Sequence, residues 1–276
     1  MNQLTIRQAI RNTAQTLEKA GLADEHDARF EARLMAARAA GISHKMSTPN
    51  GDRLLCEEEA AMLGALLAKR LAGHPLQYLL GEWEFMGLPF KTDKRALIPR
   101  QDTETLVEAA LALIRARGYR ACLDLCCGTG CIGIALAALG HVEVTLADLD
   151  ENALSLAREN AALNRIDAVF LQTDMFACAT ERYDLVACNP PYLSAKDMDN
   201  LQKEVTFEPA QALFGGADGL DFYRILARDA FAHINPGGAL VMEVGIRQVK
   251  DVASLFAKAQ ITRDLNGVER VVTAFQ

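Results

Sequence analysis

The sequence predicts an α/β protein: a mostly parallel sheet covered by helices on both faces and closed by a C-terminal antiparallel hairpin, with a small helical bundle ahead of it. Three observations lead there. Apolar residues before position 73 recur at helical spacing, those after position 93 alternate between helix and strand periods, and a glycine-rich stretch sits where one strand meets one helix. With 276 residues, half of them hydrophobic and 24% charged, the chain is long enough for about two domains and too apolar to be disordered.

Residues 1–73 are expected to form a helical domain suited to docking a protein partner. Thr5 and Gln8 have capping-box spacing, and Ile6, Ile10, Ala14 and Leu17 form one stripe before Gly21. A second helix carries Phe30, Leu34 and Ala37 and stops at Gly41. After the Thr48-Pro49-Asn50-Gly51 turn, Glu57, Glu58 and Glu59 favour a helix start, and Met62, Leu63, Leu66, Leu67 and Leu71 line that third helix. Residues 74–92 read as a linker with a short hairpin, because Trp83, Phe85, Leu88 and Phe90 are set among Pro75, Gly81, Gly87 and Pro89.

Residues 93–276 alternate. Thr103–Arg115 is expected as helix, Ala121–Leu125 as strand, Cys131–Leu139 as helix and Val142–Ala147 as strand. Helix Glu151–Asn164 follows, then strands near Val169 and Leu185. Helix Leu220–His233, strand Ala239–Val244, a helix near Val249–Ala259 and a hairpin around Asn266-Gly267 complete the series. Strands separated by helices give a parallel sheet, with ligands at the carboxyl ends of its strands.

Charge and cysteine usage exclude several function classes. The net charge of −7 rules out an electrostatic clamp on nucleic acid, and residues 1–84 hold ten Lys/Arg against eleven Asp/Glu, so the head is no basic arm. Leu125–Val142 is uncharged and long enough to raise a membrane helix, but Gly128, Gly130, Gly133 and Gly140 favour a strand, a loop and a buried helix. The first ten residues contain no signal-type apolar core, so a cytoplasmic protein is expected. Of the seven cysteines, Cys122, Cys126, Cys127 and Cys131 cluster without Cys-x-x-Cys spacing or a nearby His, which favours buried thiols over a metal site.

The stretch Asp124-Leu125-Cys126-Cys127-Gly128-Thr129-Gly130-Cys131-Ile132-Gly133 contains a G-x-G-x-x-G between strand and helix. Glycines let a ligand approach the backbone amides without a Cβ in the way. Asp148, twenty positions beyond Gly128, is placed to accept ribose hydroxyls at the next strand end. This context points to an adenosine-bearing cofactor, either a dinucleotide or S-adenosylmethionine. Asp124 ahead of the loop favours the second, whose methionine end carries an ammonium and a sulfonium. The alternative for Asp124 is a local role, accepting from loop amides.

Tyr183–Cys188 reads as a buried strand ending in Asn189-Pro190-Pro191-Tyr192. An amide nitrogen is a poor nucleophile because its lone pair is delocalised. Hydrogen bonds from its N–H groups to the Asn189 side-chain oxygen and the Pro190 carbonyl favour a localised lone pair. The fixed φ angles of Pro190 and Pro191 hold those acceptors still, and Tyr192 can stack on a flat substrate group.

Together with His74–Gly81, Leu97-Ile98-Pro99-Arg100-Gln101-Asp102-Thr103-Glu104, Phe207-Glu208-Pro209, Gly215–Leu220 and Asn266–Arg270, these motifs resemble the HemK-like peptide chain release factor N5-glutamine methyltransferases along nearly the whole chain. Asn-Pro-Pro-Tyr alone is shared with adenine methyltransferases acting on nucleic acid.

The resemblance implies a seven-stranded Rossmann-like methyltransferase sheet in residues 93–276, S-adenosylmethionine as cofactor, and class I release factors as protein substrates. Methylation is then expected on the glutamine of their Gly-Gly-Gln motif, by a monomer without direct nucleic-acid or membrane contact. By position, Cys126, Cys127, Gly128, Thr129 and Gly130 surround the cofactor's methionine end, which Asp124 also contacts, and Asp148 meets the ribose. Asp174 and Met175 border the adenine, and Asn189, Pro190, Pro191 and Tyr192 grip the glutamine, Asn189 reaching the cofactor side as well. Arg100 stands near the cofactor carboxylate or pairs with Asp102 or Glu104. Two departures from the family pattern stand out: Cys126 and Cys127 stand where Gly-Thr is common, and Met175 where an aromatic is. The alternative function is amino-methylation of a flipped base in nucleic acid.

Overall fold

The computed structural model describes residues 3–276; Met1 and Asn2, which the expected helical head includes, lie outside them. The chain divides into two compact units. One runs to Gly81 and takes in Lys203–Phe207; the other holds Glu82–Gln202 and Glu208–Gln276.

In the first unit, helices α1 (Ile6–Lys19), α2 (Glu25–Ala39), α3 (Glu57–Leu71) and α4 (Leu76–Leu80) pack together. The Thr5–Gln8 capping box forms, with Gln8 N–H donating to Thr5 Oγ1 at 3.2 Å and Thr5 N–H to Gln8 Oε1 at 3.0 Å. Ile6, Ala14 and Leu17 of the expected stripe are buried. The face of α2 differs from expectation. Ala37 is buried as expected, but Phe30 is 43% exposed, and the helix also buries Ala28, Ala32, Met35 and Ala36. The buried face of α2 is made mostly of alanines, with Met35 among them. On α3 only Leu63 and Leu66 of the five apolar residues are buried, and they share the interior with Arg70. The Arg70 guanidinium binds Glu31 through Nε (2.7 Å) and Nη2 (2.9 Å) and Glu204 through Nη1 (2.6 Å).

The second unit begins with strands β1 (Glu82–Phe85) and β2 (Leu88–Lys91), an antiparallel hairpin turned by Met86 and Gly87, both at positive φ (52° and 75°). Phe85 and Phe90 are buried in this unit's core, so the hairpin belongs with the body. There follow α5 (Gln101–Arg117), β3 (Ala121–Leu125), α6 (Cys131–Gly140), β4 (Glu143–Asp148), α7 (Glu151–Leu163), β5 (Val169–Gln172), β6 (Tyr183–Cys188), α8 (Ala195–Met198), α9 (Asp221–Asp229), β7 (Ile234–Glu243), α10 (Val249–Ser254), β8 (Ala259–Arg263) and β9 (Glu269–Phe275). The helix expected to reach His233 ends its α-helical part at Asp229 and closes with a 3₁₀ turn, Ala230–Ala232.

Among the described residues these strands form a seven-stranded sheet in the order β5-β4-β3-β6-β7-β9-β8. β5 through β7 are parallel, and β9 runs antiparallel to both β7 and β8. The expected fold class is borne out. Alternate strand residues feed two cores: Cys122 and Leu185 pack with α5, α6 and α7, whereas Leu123 and Val186 pack with α9 and α10. β4 and β6 flank β3, so the chain leaves β3 in one direction and later returns on its other side. The crevice at the carboxyl ends of β3, β4 and β6 lies at this switch point. No described helix is long and apolar enough to cross a membrane.

Candidate active site

A cavity opens at that switch point. It is lined by Arg100, Cys126, Cys127, Gly128, Thr129, Asp148, Asp174, Met175, Asn189 and Pro191, all anticipated from the sequence. Asp124, Gly130, Pro190 and Tyr192 are not among its lining residues.

The loop after β3 is bent by positive φ at Cys126 (60°), Gly128 (54°) and Gly130 (78°). Cys126 thus occupies a left-handed conformation that glycine adopts freely and a cysteine does not, which accounts physically for the glycine common there in the resembled family. Two acids hold the loop. Asp148 Oδ2 accepts from Gly128 N–H at 2.8 Å and Oδ1 from Asp150 N–H at 3.0 Å. Asp124 Oδ2 accepts from Gly133 N–H at 2.8 Å, capping the third amide of α6 from the neighbouring strand. A Cβ on Gly133 would stand 2.3 Å from Leu146 Cδ2 and 2.9 Å from Asp124 Cβ, so this helix start has room only for glycine.

Asp124 is fully buried, and burial pushes its carboxyl up to about 7. Its expected contact with the cofactor is therefore corrected: it lies beneath the loop and shapes it, because α6 covers it. Its second oxygen, Oδ1, is buried without a hydrogen-bond partner. Burial raises the Asp148 carboxyl too, against hydrogen bonds from Asp150 and Gly128 that lower it.

At the end of β6, Pro190 and Pro191 are buried and Asn189 and Tyr192 half-buried. The tetrapeptide's backbone lies tightly against Gly215 and Gly219: a Cβ on Gly215 would meet Pro191 O at 2.6 Å, and one on Gly219 would meet Tyr192 O at 2.4 Å. Gln248 Nε2 donates to Tyr192 O at 2.9 Å. Asn189 Nδ2 lies 3.3 Å from Thr103 Oγ1, and Thr103 Oγ1 lies 2.6 Å from Glu243 Oε2.

Arg100 forms neither of its expected ion pairs. It binds the buried Glu208, whose Oε2 also accepts from Ile98 N–H at 3.0 Å. Asp102 instead pairs with Arg270 (2.7 Å), and Glu104 Oε1 accepts from Met86 N–H at 2.7 Å. Glu208, Glu243 and Thr103 were missed as site residues. A signal existed for one of them: Glu243 is a lone acid ending the apolar run Ala239–Met242. Asn160, also missed, is fully buried and donates through Nδ2 to Thr129 O at 2.9 Å, bracing the loop.

The residues fit S-adenosylmethionine. Asp148 offers a carboxylate to a ribose diol, Arg100 a cation to a carboxylate, and Met175 an apolar surface to a purine, while the glycine loop is a cradle that side chains would fill. A cavity with this donor set, at the switch point of this sheet and beside Asn-Pro-Pro-Tyr, defines an S-adenosylmethionine-dependent methyltransferase.

Residues 103–218 match the family described as methyltransferase small domain, and residues 8–81 match the PrmC N-terminal domain. The release factor glutamine methyltransferase of Geobacter sulfurreducens is 38% identical, the match covering 97% of this chain and 95% of the relative. That of Cereibacter sphaeroides is 40% identical over 96% of each chain, and that of Deinococcus radiodurans 35% over 98% of each. The chain belongs to the release factor glutamine methyltransferase family. Among solved structures, the hMettl16 catalytic domain in complex with MAT2A 3'UTR hairpin 6 shares the fold, with a TM-score of 0.56 and 17% identity over 76% of this chain and 82% of that one. The T. thermophilus 16S rRNA N2 G1207 methyltransferase (RsmC), in complex with AdoMet and guanosine, does so with a TM-score of 0.51 and 19% identity over 71% of this chain and 49% of that one.

Proposed function

We propose that this enzyme methylates the side-chain amide nitrogen of the glutamine in the Gly-Gly-Gln motif of class I peptide chain release factors. Family membership supports the substrate class, and one structural observation carries the chemistry: Asn189 stands at the cavity with its amine end held inward by Thr103. S-adenosylmethionine, when bound, supplies a methyl group made electrophilic by its sulfonium.

The chain's own residues do the rest. Asn189 Oδ1 and the Pro190 carbonyl accept the two N–H groups of the substrate amide, drawing its lone pair out of conjugation. Pro190 and Pro191 cannot relax away from this arrangement, because their φ angles are fixed and Gly215 and Gly219 pack against the backbone. The acceptors thus work at no reorganisation cost, and positioning contributes a large share of the acceleration. The nitrogen gains the methyl group as the methyl–sulfur bond breaks with its electron pair left on sulfur, S-adenosylhomocysteine departing, and it sheds one proton to water. Tyr192 flanks the glutamine from outside the cavity lining. Asp148 holds the ribose hydroxyls, Asp174 and Met175 the adenine, the Cys126–Gly130 loop the methionine end, and Arg100 its carboxylate. The helical unit docks the protein substrate, and the enzyme acts as a monomer in the cytoplasm without direct nucleic-acid contact.

The test is mass spectrometry of release factor incubated with enzyme and cofactor, with DNA and RNA in parallel. One added methyl on the Gly-Gly-Gln glutamine is expected. An unmodified release factor at saturating cofactor, or methyl incorporation into nucleic acid instead, overturns the proposal.

A further inference from the structure

Asn189 serves a substrate amide only when its own carboxamide is turned the right way round. The two ends of that group are nearly equal in size but opposite in character, one a donor and one an acceptor, so neighbouring hydrogen bonds decide which end faces out. Its neighbour is Thr103, in the first turn of α5, and behind Thr103 stands Glu243, the last residue of β7. Both are buried, with 2% exposure each. The distances form a chain, 3.3 Å from Asn189 Nδ2 to Thr103 Oγ1 and 2.6 Å from Thr103 Oγ1 to Glu243 Oε2.

A threonine hydroxyl has one proton to give. Beside an ionised Glu243 it donates to the carboxylate, a short charge-assisted bond. Only lone pairs are then left for Asn189, so the amine end of that carboxamide turns inward and Oδ1 is presented outward. A protonated Glu243 reverses the logic. It donates to Thr103, Thr103 donates to Asn189 Oδ1, and the carboxamide shows its NH₂ to a substrate NH₂, donor against donor.

We propose that Glu243, acting through Thr103, is a positioning residue that sets the orientation of the Asn189 carboxamide for methyl transfer. This rests on the role given to Asn189 above. The relay makes catalysis depend on the ionisation of a buried acid. Burial raises the Glu243 carboxyl to about 7, opposed by the Thr103 hydrogen bond; Asp102 raises it further, and Arg270 and Arg100 lower it. Tyr192 after β6, Tyr223 of α9 and Cys131 of α6 also face it, and burial holds all three above their ordinary values, hence neutral at neutral pH. The turnover rate therefore falls as pH drops through about 7.

The experiment uses the full chain, release factor and S-adenosylmethionine. Thr103→Val keeps the side-chain shape and removes the hydroxyl; it should lower kcat by about 100-fold, the scale of a misplaced reacting group. Thr103→Ser should recover most of that loss. Glu243→Gln should lower the plateau, because a carboxamide can show Thr103 either atom, and should erase the acid limb of the kcat profile. Equal rates for Thr103→Val and Thr103→Ser, or an acid limb that survives in Glu243→Gln, overturn the relay. If Thr103→Val does not fold, the Glu243→Gln profile decides alone. Asn189→Ala separates the two levels of inference: full activity there removes the role of Asn189 itself, whereas an inactive Asn189→Ala beside a fully active Thr103→Val removes only the relay.

Discussion

Asp148 Oδ2 accepts a 2.8 Å hydrogen bond from the backbone N–H of Gly128. The carboxylate that closes β4 therefore sets the shape of the loop that follows β3, besides being placed to meet a ribose. With Oδ1 taking the Asp150 N–H at 3.0 Å, each oxygen keeps a further lone pair for a ligand hydroxyl. One residue thus carries both the cofactor contact and the support beneath it.

Asp148→Ala should accordingly weaken cofactor binding by more than one lost contact. Hydrogen bonds to a charged group contribute about 1.5–3 kcal/mol, so the dissociation constant should rise by about 10- to 100-fold. Titration calorimetry with S-adenosylmethionine measures this. An unchanged affinity would remove Asp148 from the binding site.

Position 126 should discriminate by backbone conformation. Its φ of 60° is left-handed, so Cys126→Gly should leave the melting temperature nearly unchanged even though glycine usually destabilises. Cys126→Val should cost about 2 kcal/mol, since a branched Cβ is poorly tolerated there. Thermal unfolding of the two variants decides; equal losses would show that the loop is free to change its conformation.

Asp124 should make stability depend on pH. Its folded value is about 7 and its ordinary value 3.8, so between those limits the folded chain holds a proton that the unfolded chain has released. Stability from this group is thus present at low pH and lost as pH rises toward 7. Asp124→Asn keeps an acceptor for Gly133 N–H and has no such loss. Its advantage over the native chain should grow with pH to at most about 4 kcal/mol by pH 8. Denaturant melts at pH 5 and pH 8 test this, and a difference that does not widen with pH refutes it.

Glu208→Ala strands two partners, the Ile98 N–H and the Arg100 guanidinium. Leaving the buried Ile98 N–H unpaired costs about 1–3 kcal/mol, while the part-exposed Arg100 guanidinium turns to water, and the Ile98–Arg100 segment along the cavity should loosen. A lower denaturant midpoint together with weaker cofactor binding is expected. Loss of stability with unchanged affinity would confine Glu208 to a structural role.

Contiguous features of the chain were legible. The β3 boundaries and the Thr5–Gln8 cap appear as expected, because strand periodicity and capping are written in neighbouring residues. The cavity gathers most of the anticipated residues because all of these but Arg100 lie at or just past the end of a parallel strand, where topology brings strand ends together. Less legible was which face a helix buries. Phe30 reads as core and is exposed, since the buried face of α2 is formed by its alanines and Met35.

The order of elements, the glycine loop, the acid at the second strand end and the rigid Asn-Pro-Pro-Tyr turn are thus properties of the sequence by itself. Only tertiary structure decided that Asp124 works beneath the loop, that Arg100 pairs with Glu208, and that Thr103 joins Asn189 to Glu243. The physical reason is distance along the chain. Glu208 and Arg100 are 108 positions apart and Glu243 and Thr103 are 140, so no local period records which donor a buried acid will find. Burial then determines what that acid can do, because its ionisation depends on the neighbours that folding brings to it.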